Sequence, residues 1–215
     1  MPNLLPTLIT NKSGDSRLPA LFYARYLFVA FLFLSPVITW SQPVSKKDSL
    51  TQKLKTIEAR RSNAKGTQAF TLDTQKVIVF TRLAEAWLED QPEKALMYAQ
   101  QGITLGKQLH FLNGLAKSNR YAGLASEYLG DNKNAMLYYQ TALDYFTRLD
   151  NKEGIANGNM DIGIIQEELN NYPKALEYYI KALHIMEAIH NKPGISNCYD
   201  NMGNVYADQG NNEEA

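Results

Sequence analysis

The sequence has few of the side chains on which metal binding and redox chemistry depend. It contains one cysteine in 215 residues, so it cannot form an internal disulfide framework. That residue, Cys198, lies in a predicted helix, where a buried structural thiol is more common than a reactive one. The three histidines, His110, His184 and His190, lack the i, i+4 spacing that presents two metal ligands on one helix face. We therefore predict no metal and no cofactor.

Motifs for phosphate binding and nucleophilic catalysis are also missing. The glycines at 102, 106 and 114 follow no predicted strand, as a phosphate-binding loop would require, and no Gly-x-Ser-x-Gly segment occurs. The adjacent acidic pairs Glu167-Glu168 and Glu213-Glu214 diverge on a helix, so each makes a poor acid–base pair. The residues given predict no enzyme.

Neither sign of charge is in excess. Lysine plus arginine and aspartate plus glutamate number 22 each. A nucleic-acid or acidic-lipid surface would attract a protein with a clear basic excess. We therefore predict no nucleic-acid partner.

The one long apolar run lies near the start of the chain, at residues 27–34 (LFVAFLFL), and continues to Trp40. Basic residues precede it and the small residues Thr39 and Ser41 flank its end, which is typical of a secretory signal peptide. Arg25 and the Ser35-Pro36 pair limit the apolar core to about 15 residues, fewer than the roughly 20 that span a bilayer. We predict cleavage of residues 1–41, with an anchor retained through residues 21–40 as the alternative. Either way, the rest of the chain should be periplasmic or lie outside the bacterial cytoplasmic membrane.

The strongest pattern is a forty-residue unit that occurs twice without a gap, at residues 114–153 and 154–193. A third copy begins at Gly194 and reaches Ala215, and counting back forty residues places a divergent copy at 74–113. Residues 42–73 then form an N-terminal helix and linker. Self-similarity at a fixed period predicts a stacked repeat array. The positions that recur unchanged include Gly123/Gly163, Ala135/Ala175, Tyr139/Tyr179 and Ala142/Ala182.

Each copy has the pattern of two antiparallel helices. In the copy at 154–193, helix A should run from about Ile155 to Leu169 and helix B from about Pro173 to Ile189. The glycine and alanines let the two helix axes approach closely. Ahead of the array, Leu50, Leu54 and Ile57 predict a short amphipathic helix. Residues 62–71 should be a loop, with the next helix beginning at Asp73 or Thr74. The predicted fold is all-α, a solenoid of antiparallel helix pairs.

This pattern resembles the tetratricopeptide repeat, whose helix A carries a large apolar residue followed by Gly, and whose helix B carries Ala, an aromatic and Ala. Ile162-Gly163 with Ala175, Tyr179 and Ala182 fits that consensus, and Asn201–Tyr206 fits the helix A part. The resemblance covers residues 74–215 and implies a right-handed superhelix that binds a protein or peptide.

In the resembled family, particular helix A positions line a concave groove. The alternative is that the matching residues here are ordinary exposed helix residues. By register, those residues are Lys117, Arg120, Leu124 and Glu127, then Asn157, Met160, Ile164 and Glu167, and finally Asn197, Asp200 and Asn204.

The chain ends at Ala215, where a last helix B would begin, so we expect a fragment of a longer protein truncated in its last repeat. An export signal followed by a repeat array is similar to the sensor halves of bacterial signalling proteins. Three functions remain open on the sequence: an exported peptide-binding scaffold, the input domain of a membrane sensor kinase, cyclase or regulator, and a self-association module that would make a homo-oligomer.

Overall fold

The structure is a computed structural model that describes residues 45–210. The predicted signal peptide and residues 211–215 lie outside this range. Within it the chain forms eight α-helices and no strand, which confirms the all-α fold predicted from the sequence. The helices are α1 (Lys46–Arg61), α2 (Gly66–Trp87), α3 (Pro92–Gln108), α4 (Leu112–Tyr128), α5 (Asn132–Arg148), α6 (Lys152–Glu168), α7 (Tyr172–Ala188) and α8 (Lys192–Asp208).

The helices stack as antiparallel pairs, each of which packs on the next. The backbones of the A helices α2, α4, α6 and α8 approach one another in sequence, whereas the backbones of the B helices α3, α5 and α7 approach only A helices among residues 45–210. Between B helices only long side chains reach across, as where Gln100 of α3 donates to the Tyr138 hydroxyl of α5 at 3.5 Å. A stack that is tighter on one side than on the other must curve, with the A helices on the inner side. The A helices therefore form the face on which a groove can lie.

Within a pair, a glycine on the A helix meets a tyrosine on the B helix. Gly123 of α4 lies against the ring of Tyr139, and Gly163 of α6 lies against the ring of Tyr179. Both tyrosines are fully buried. A Cβ at either glycine would collide with ring carbons, so the recurring glycine and tyrosine are two halves of one packing contact.

Within each pair, a turn joins helix A to helix B and orients the second helix. After α4, the Asp131 amide donates to the Ser126 carbonyl at 2.8 Å, and after α6 the Asn171 amide donates to the Gln166 carbonyl at 2.7 Å. These bonds close the helix end around one left-handed residue, Gly130 in the first turn and Asn170 in the second. The same turn therefore recurs at each A–B junction of these two pairs.

The first pair departs by one residue from the forty-residue register in its A helix. The buried and exposed residues of α2 match those of α4 when Ala84, rather than Leu83, is aligned with Gly123. In that alignment the exposed side chains of Ile78 and Lys117 coincide. Counting back forty residues is therefore one residue wrong for α2, although it holds for α3.

The cause of this shift lies in the turn between α2 and α3. Ala84 and Ala95 are one residue closer along the chain than Gly123 and Ala135. This turn is also closed by a different hydrogen bond from the turns after α4 and α6. Here the Gln91 amide donates to the carbonyl of Trp87 at 2.9 Å.

The linker expected at residues 62–71 is shorter than predicted, because α2 begins at Gly66. The predicted loop is wrong for residues 66–71. Ala69 and Leu72 lie on the buried side of α2, where they join Leu50 and Ile57 of α1 in one apolar cluster. The predicted apolar stripe of α1 is confirmed by this packing, and α1 covers the first end of the array.

Within residues 45–210, no helix combines the length and apolarity that crossing a membrane requires.

Candidate functional site

The predicted groove residues lie on three A helices and differ in exposure. Lys117, Asn197, Asp200 and Asn204 are exposed, whereas Met160 is buried beside Cys198. The remaining ones are half-buried: Arg120, Leu124, Glu127, Asn157, Ile164 and Glu167. Lys117 lines one cleft of the A-helix face, and Ile164, Glu167 and Asn204 line another. Glu127, Asn157 and Asn197 line neither.

The first of these, here called the N-terminal cleft, lies between α2 and α4 and has a volume of about 410 Å³. The contribution of α2 was missed in the sequence because its register was taken one residue out. The cleft is lined by Ile78, Thr81, Arg82 and Glu85 of α2 and by Phe111, Asn113, Gly114, Lys117 and Tyr121.

The second, here called the acidic cleft, lies between α6 and α8 and has a volume of about 470 Å³. Three carboxylates and three asparagines dominate its lining. Burial raises the pKa of Glu167 above its usual value, and the neighbouring charges of Asp208 and Glu168 act in the same direction. The residues of the acidic cleft are Ile164, Glu167, Glu168, Asn170, Asn201, Asn204 and Asp208.

A buried ion pair lies between these two clefts. Arg120 of α4 donates two hydrogen bonds to Asp161 of α6, from Nε to Oδ2 at 2.6 Å and from Nη2 to Oδ1 at 3.0 Å. The Asp161 side chain is only 5% exposed, and that of Arg120 is 26% exposed. Arg120, a predicted groove residue, is therefore committed to a protein carboxylate rather than left for a ligand.

The pKa values of both partners reflect this burial. Burial raises the pKa of the Asp161 carboxyl, while the charge and hydrogen bonds of Arg120 oppose that rise. Burial also lowers the pKa of the Arg120 guanidinium, but the charge of Asp161 outweighs it and the pKa lies above its ordinary value. Asp161 was missed in the sequence. An aspartate within the apolar segment Met160–Ile165 was the signal that could have revealed it, since such a charge needs a partner.

Each of the two predicted groove glutamates accepts a hydrogen bond from the buried tyrosine of its own helix pair. The Tyr139 hydroxyl donates to Glu127 Oε2 at 2.5 Å, and the Tyr179 hydroxyl donates to Glu167 Oε2 at 2.6 Å. Burial raises the pKa of Glu127, against the lowering effect of the Tyr139 hydrogen bond. Each bond ties helix A to helix B, so these carboxylates are positioned by the core.

No cluster of three histidine, cysteine or acidic side chains within residues 45–210 has a geometry that could hold a metal. Burial raises the pKa of the Cys198 thiol to about 11, which keeps it protonated at neutral pH. His184 is exposed and lies 3.6 Å from Glu187.

Residues 154–215 match the family model of the tetratricopeptide repeat. The resemblance drawn from the sequence is confirmed over these residues, and the array of which they are part has the fold of a tetratricopeptide-type helical scaffold. No curated protein matches the chain by sequence.

Solved structures share this fold. The apo form of RapI has a TM-score of 0.65 and 17% identity, covering 90% of this chain and 65% of RapI. BtubC from P. vanneervenii has a TM-score of 0.62 and 16% identity, covering 79% of this chain and 70% of BtubC. A Rap protein complexed with competence and sporulation factor has a TM-score of 0.62 and 15% identity, covering 95% of this chain and 64% of that protein. At such identities the likeness is one of fold, and this chain spans somewhat less than two-thirds of either Rap structure.

Proposed function

We propose that the array is a protein-interaction scaffold that binds an extended segment of a partner along the A-helix face. The observation that carries this proposal is the arrangement of two open clefts on one face, each between successive A helices. Exposed lysine, arginine and asparagine side chains line them, and amides can both donate to and accept from a peptide backbone.

One of the structures with the same fold is complexed with a second molecule, the competence and sporulation factor. That supports ligand binding as a use of this fold. The Arg120–Asp161 pair ties α4 to α6 between the clefts, which restrains these two helices relative to each other before a partner binds. A rigid surface loses less conformational freedom on binding.

Selection from a library of random peptides displayed on phage tests this proposal with the full chain as bait. Asn204→Arg places a long side chain in the acidic cleft, at a position that is exposed. The matched control is Gln140→Arg, an exposed position of α5 outside both clefts. We expect enriched peptides to bind Asn204→Arg about tenfold more weakly, about 1.4 kcal/mol, and Gln140→Arg normally. Failure of any peptide to enrich, or equal binding to both variants, would contradict the proposal.

The scaffold is further proposed to be exported, as the sensor or interaction segment of a longer protein. The support is the sequence layout, in which a signal-peptide pattern at residues 1–41 precedes the array. An alkaline phosphatase fusion after residue 210 should be active in bacteria, and the same fusion without residues 1–41 should be inactive. Protein sequencing of the product's N-terminus would distinguish cleavage near Ser41 from a retained anchor.

A further inference from the structure

The N-terminal cleft combines an apolar wall with two cations from opposite helices. Ile78 is 41% exposed although it is a large hydrophobic residue, and Phe111 stands across from it. A Cβ at Gly114 would lie 2.5 Å from the Phe111 ring and 2.6 Å from Val77, so the glycine lets that ring pack into the wall. An exposed apolar wall in a cleft favours an apolar side chain from a ligand.

The charges of this cleft are unbalanced. Arg82 and Lys117 form no ion pair with any carboxylate among residues 45–210. The cleft's one carboxylate, Glu85, is already engaged, because Lys46 Nζ lies 3.2 Å from its Oε2. The pKa of Tyr121 is raised first by burial and then by the charge of Glu85. Two cations are thus left facing the cleft.

From this combination we infer that the N-terminal cleft binds an acidic side chain of an extended peptide, with an apolar side chain beside it. This inference rests on the proposed function, since it names the chemistry of the peptide. The carboxylate would lie between Arg82 and Lys117 and the apolar group against Ile78 and Phe111. In an extended chain, residues i and i+2 point to the same side, about 7 Å apart. The recognised segment is therefore Asp or Glu, any residue, then a large apolar residue, or the same in reverse order.

The opposite charge of the acidic cleft directs such a segment to one end of the face. Glu167, Glu168 and Asp208 form no ion pair with a lysine or arginine among the described residues, so they repel a second carboxylate. Like charges brought together across an interface disfavour the wrong alignment. The position of the acidic residue would thereby set where along the array the peptide lies.

Three peptide libraries, random except for a central Asp-x-Leu, Asn-x-Leu or Lys-x-Leu, test this inference on the full chain. We expect the Asp-x-Leu library to bind at least about tenfold more tightly than the other two, with an advantage that falls as salt is raised. The double variant Arg82→Glu, Lys117→Glu should lose that preference and favour the Lys-x-Leu library.

The matched control is Arg60→Glu, Lys133→Glu, which changes the net charge equally at exposed positions outside both clefts. It should bind all three libraries as the unaltered chain does, and circular dichroism would show that both double variants are folded. Equal binding of the three libraries, or a preference for Asp-x-Leu that survives in Arg82→Glu, Lys117→Glu, would overturn the inference while leaving the proposed function intact. Binding by no library would instead contradict the proposed function itself.

Discussion

Arg120 and Asp161 join two successive repeats through a bidentate ion pair whose acidic partner is almost completely buried. Their position between the two clefts makes the pair a structural element of the face on which a ligand is proposed to bind. Removing one partner of such a pair leaves the other charge without its counter-ion.

Asp161→Ala should therefore lower the free energy of unfolding by about 2 kcal/mol. The expected loss lies below the roughly 3–5 kcal/mol typical of buried pairs, because Arg120 retains access to water, with 26% of its side chain exposed. Urea denaturation followed by circular dichroism would measure it. The control is Glu177→Ala, which removes the exposed Lys181–Glu177 pair and should cost less than about 0.5 kcal/mol. Similar losses in the two variants would contradict this account.

A second prediction compares two glycines of α6. Gly163→Ala should cost about 1–3 kcal/mol, because its Cβ would collide with the ring of the fully buried Tyr179. Gly158→Ala should be tolerated, because its Cβ would lie 3.4 Å from the nearest atom, Leu143 Cδ1. Alanine also favours a helix interior over glycine by up to about 1 kcal/mol. Thermal unfolding of both variants would measure the two changes in stability, which should differ in sign. A loss of stability in Gly158→Ala equal to that in Gly163→Ala would contradict the proposed Gly163–Tyr179 contact.

The raised pKa values of Glu127 and Glu167 predict a particular dependence of stability on pH. A carboxyl whose pKa is higher in the folded state binds protons more readily there than in the unfolded chain. Its contribution to stability is largest at low pH and falls as the pH rises through the window just above the ordinary glutamate value of about 4.3. In the double variant Glu127→Gln, Glu167→Gln, the tyrosine hydroxyls retain an acceptor, and this decline should be smaller.

The measurement for that prediction is the free energy of unfolding by urea across this pH window. Glu177→Gln provides a control of opposite sign, because its hydrogen bond with Lys181 lowers the pKa of Glu177. A stability profile unchanged by the double substitution would show that the two carboxyls do not act as described.

A fourth prediction concerns the role of α1 as the cover of the array. Ile57 is 4% exposed and packs in one cluster with residues of α2, so Ile57→Ala should cost about 2–4 kcal/mol. Because repeat arrays are stabilised mainly by neighbouring units, hydrogen exchange should speed up in α1 and α2 and change little in α7 and α8. Lys55→Ala, at an exposed position of the same helix, should leave exchange unchanged. Uniform acceleration across the array would argue for a single cooperative unit.

Much of this fold could be predicted from the sequence, because the repeated units can be aligned with one another and positions that recur must play the same structural role in each unit. Gly163, Ala175 and Tyr179 recur from the preceding unit, and their side-chain sizes alone indicate a close helix pair. The start of α2 could not be predicted in the same way. Gly66 and the polar residues after it suggested a loop, whereas Ala69 and Leu72 pack on α1, a tertiary contact that local preference does not show.

The candidate site was predicted less completely. Lys117, Glu167 and Asn204 line clefts, but Arg120 and Glu127 are held by protein partners that lie on other helices. Those partners, Asp161 and Tyr139, are 41 and 12 residues away in sequence. The spacing of residues within a helix predicts on which face of the helix a side chain lies. It does not predict whether a side chain from another helix pairs with it.

The one-residue shift of α2 has a consequence for how such arrays diversify. With 3.6 residues per turn, a shift of one residue is a rotation of about 100° about the helix axis. In the forty-residue register Arg82 would occupy the place of buried Ala122, whereas the shift puts it in the place of Tyr121, at the cleft. The pair whose turn is one residue shorter thus presents a different set of α2 positions to solvent than the forty-residue register would. Insertion or deletion in a turn can in this way change ligand preference in one step, without altering a single residue of the helix.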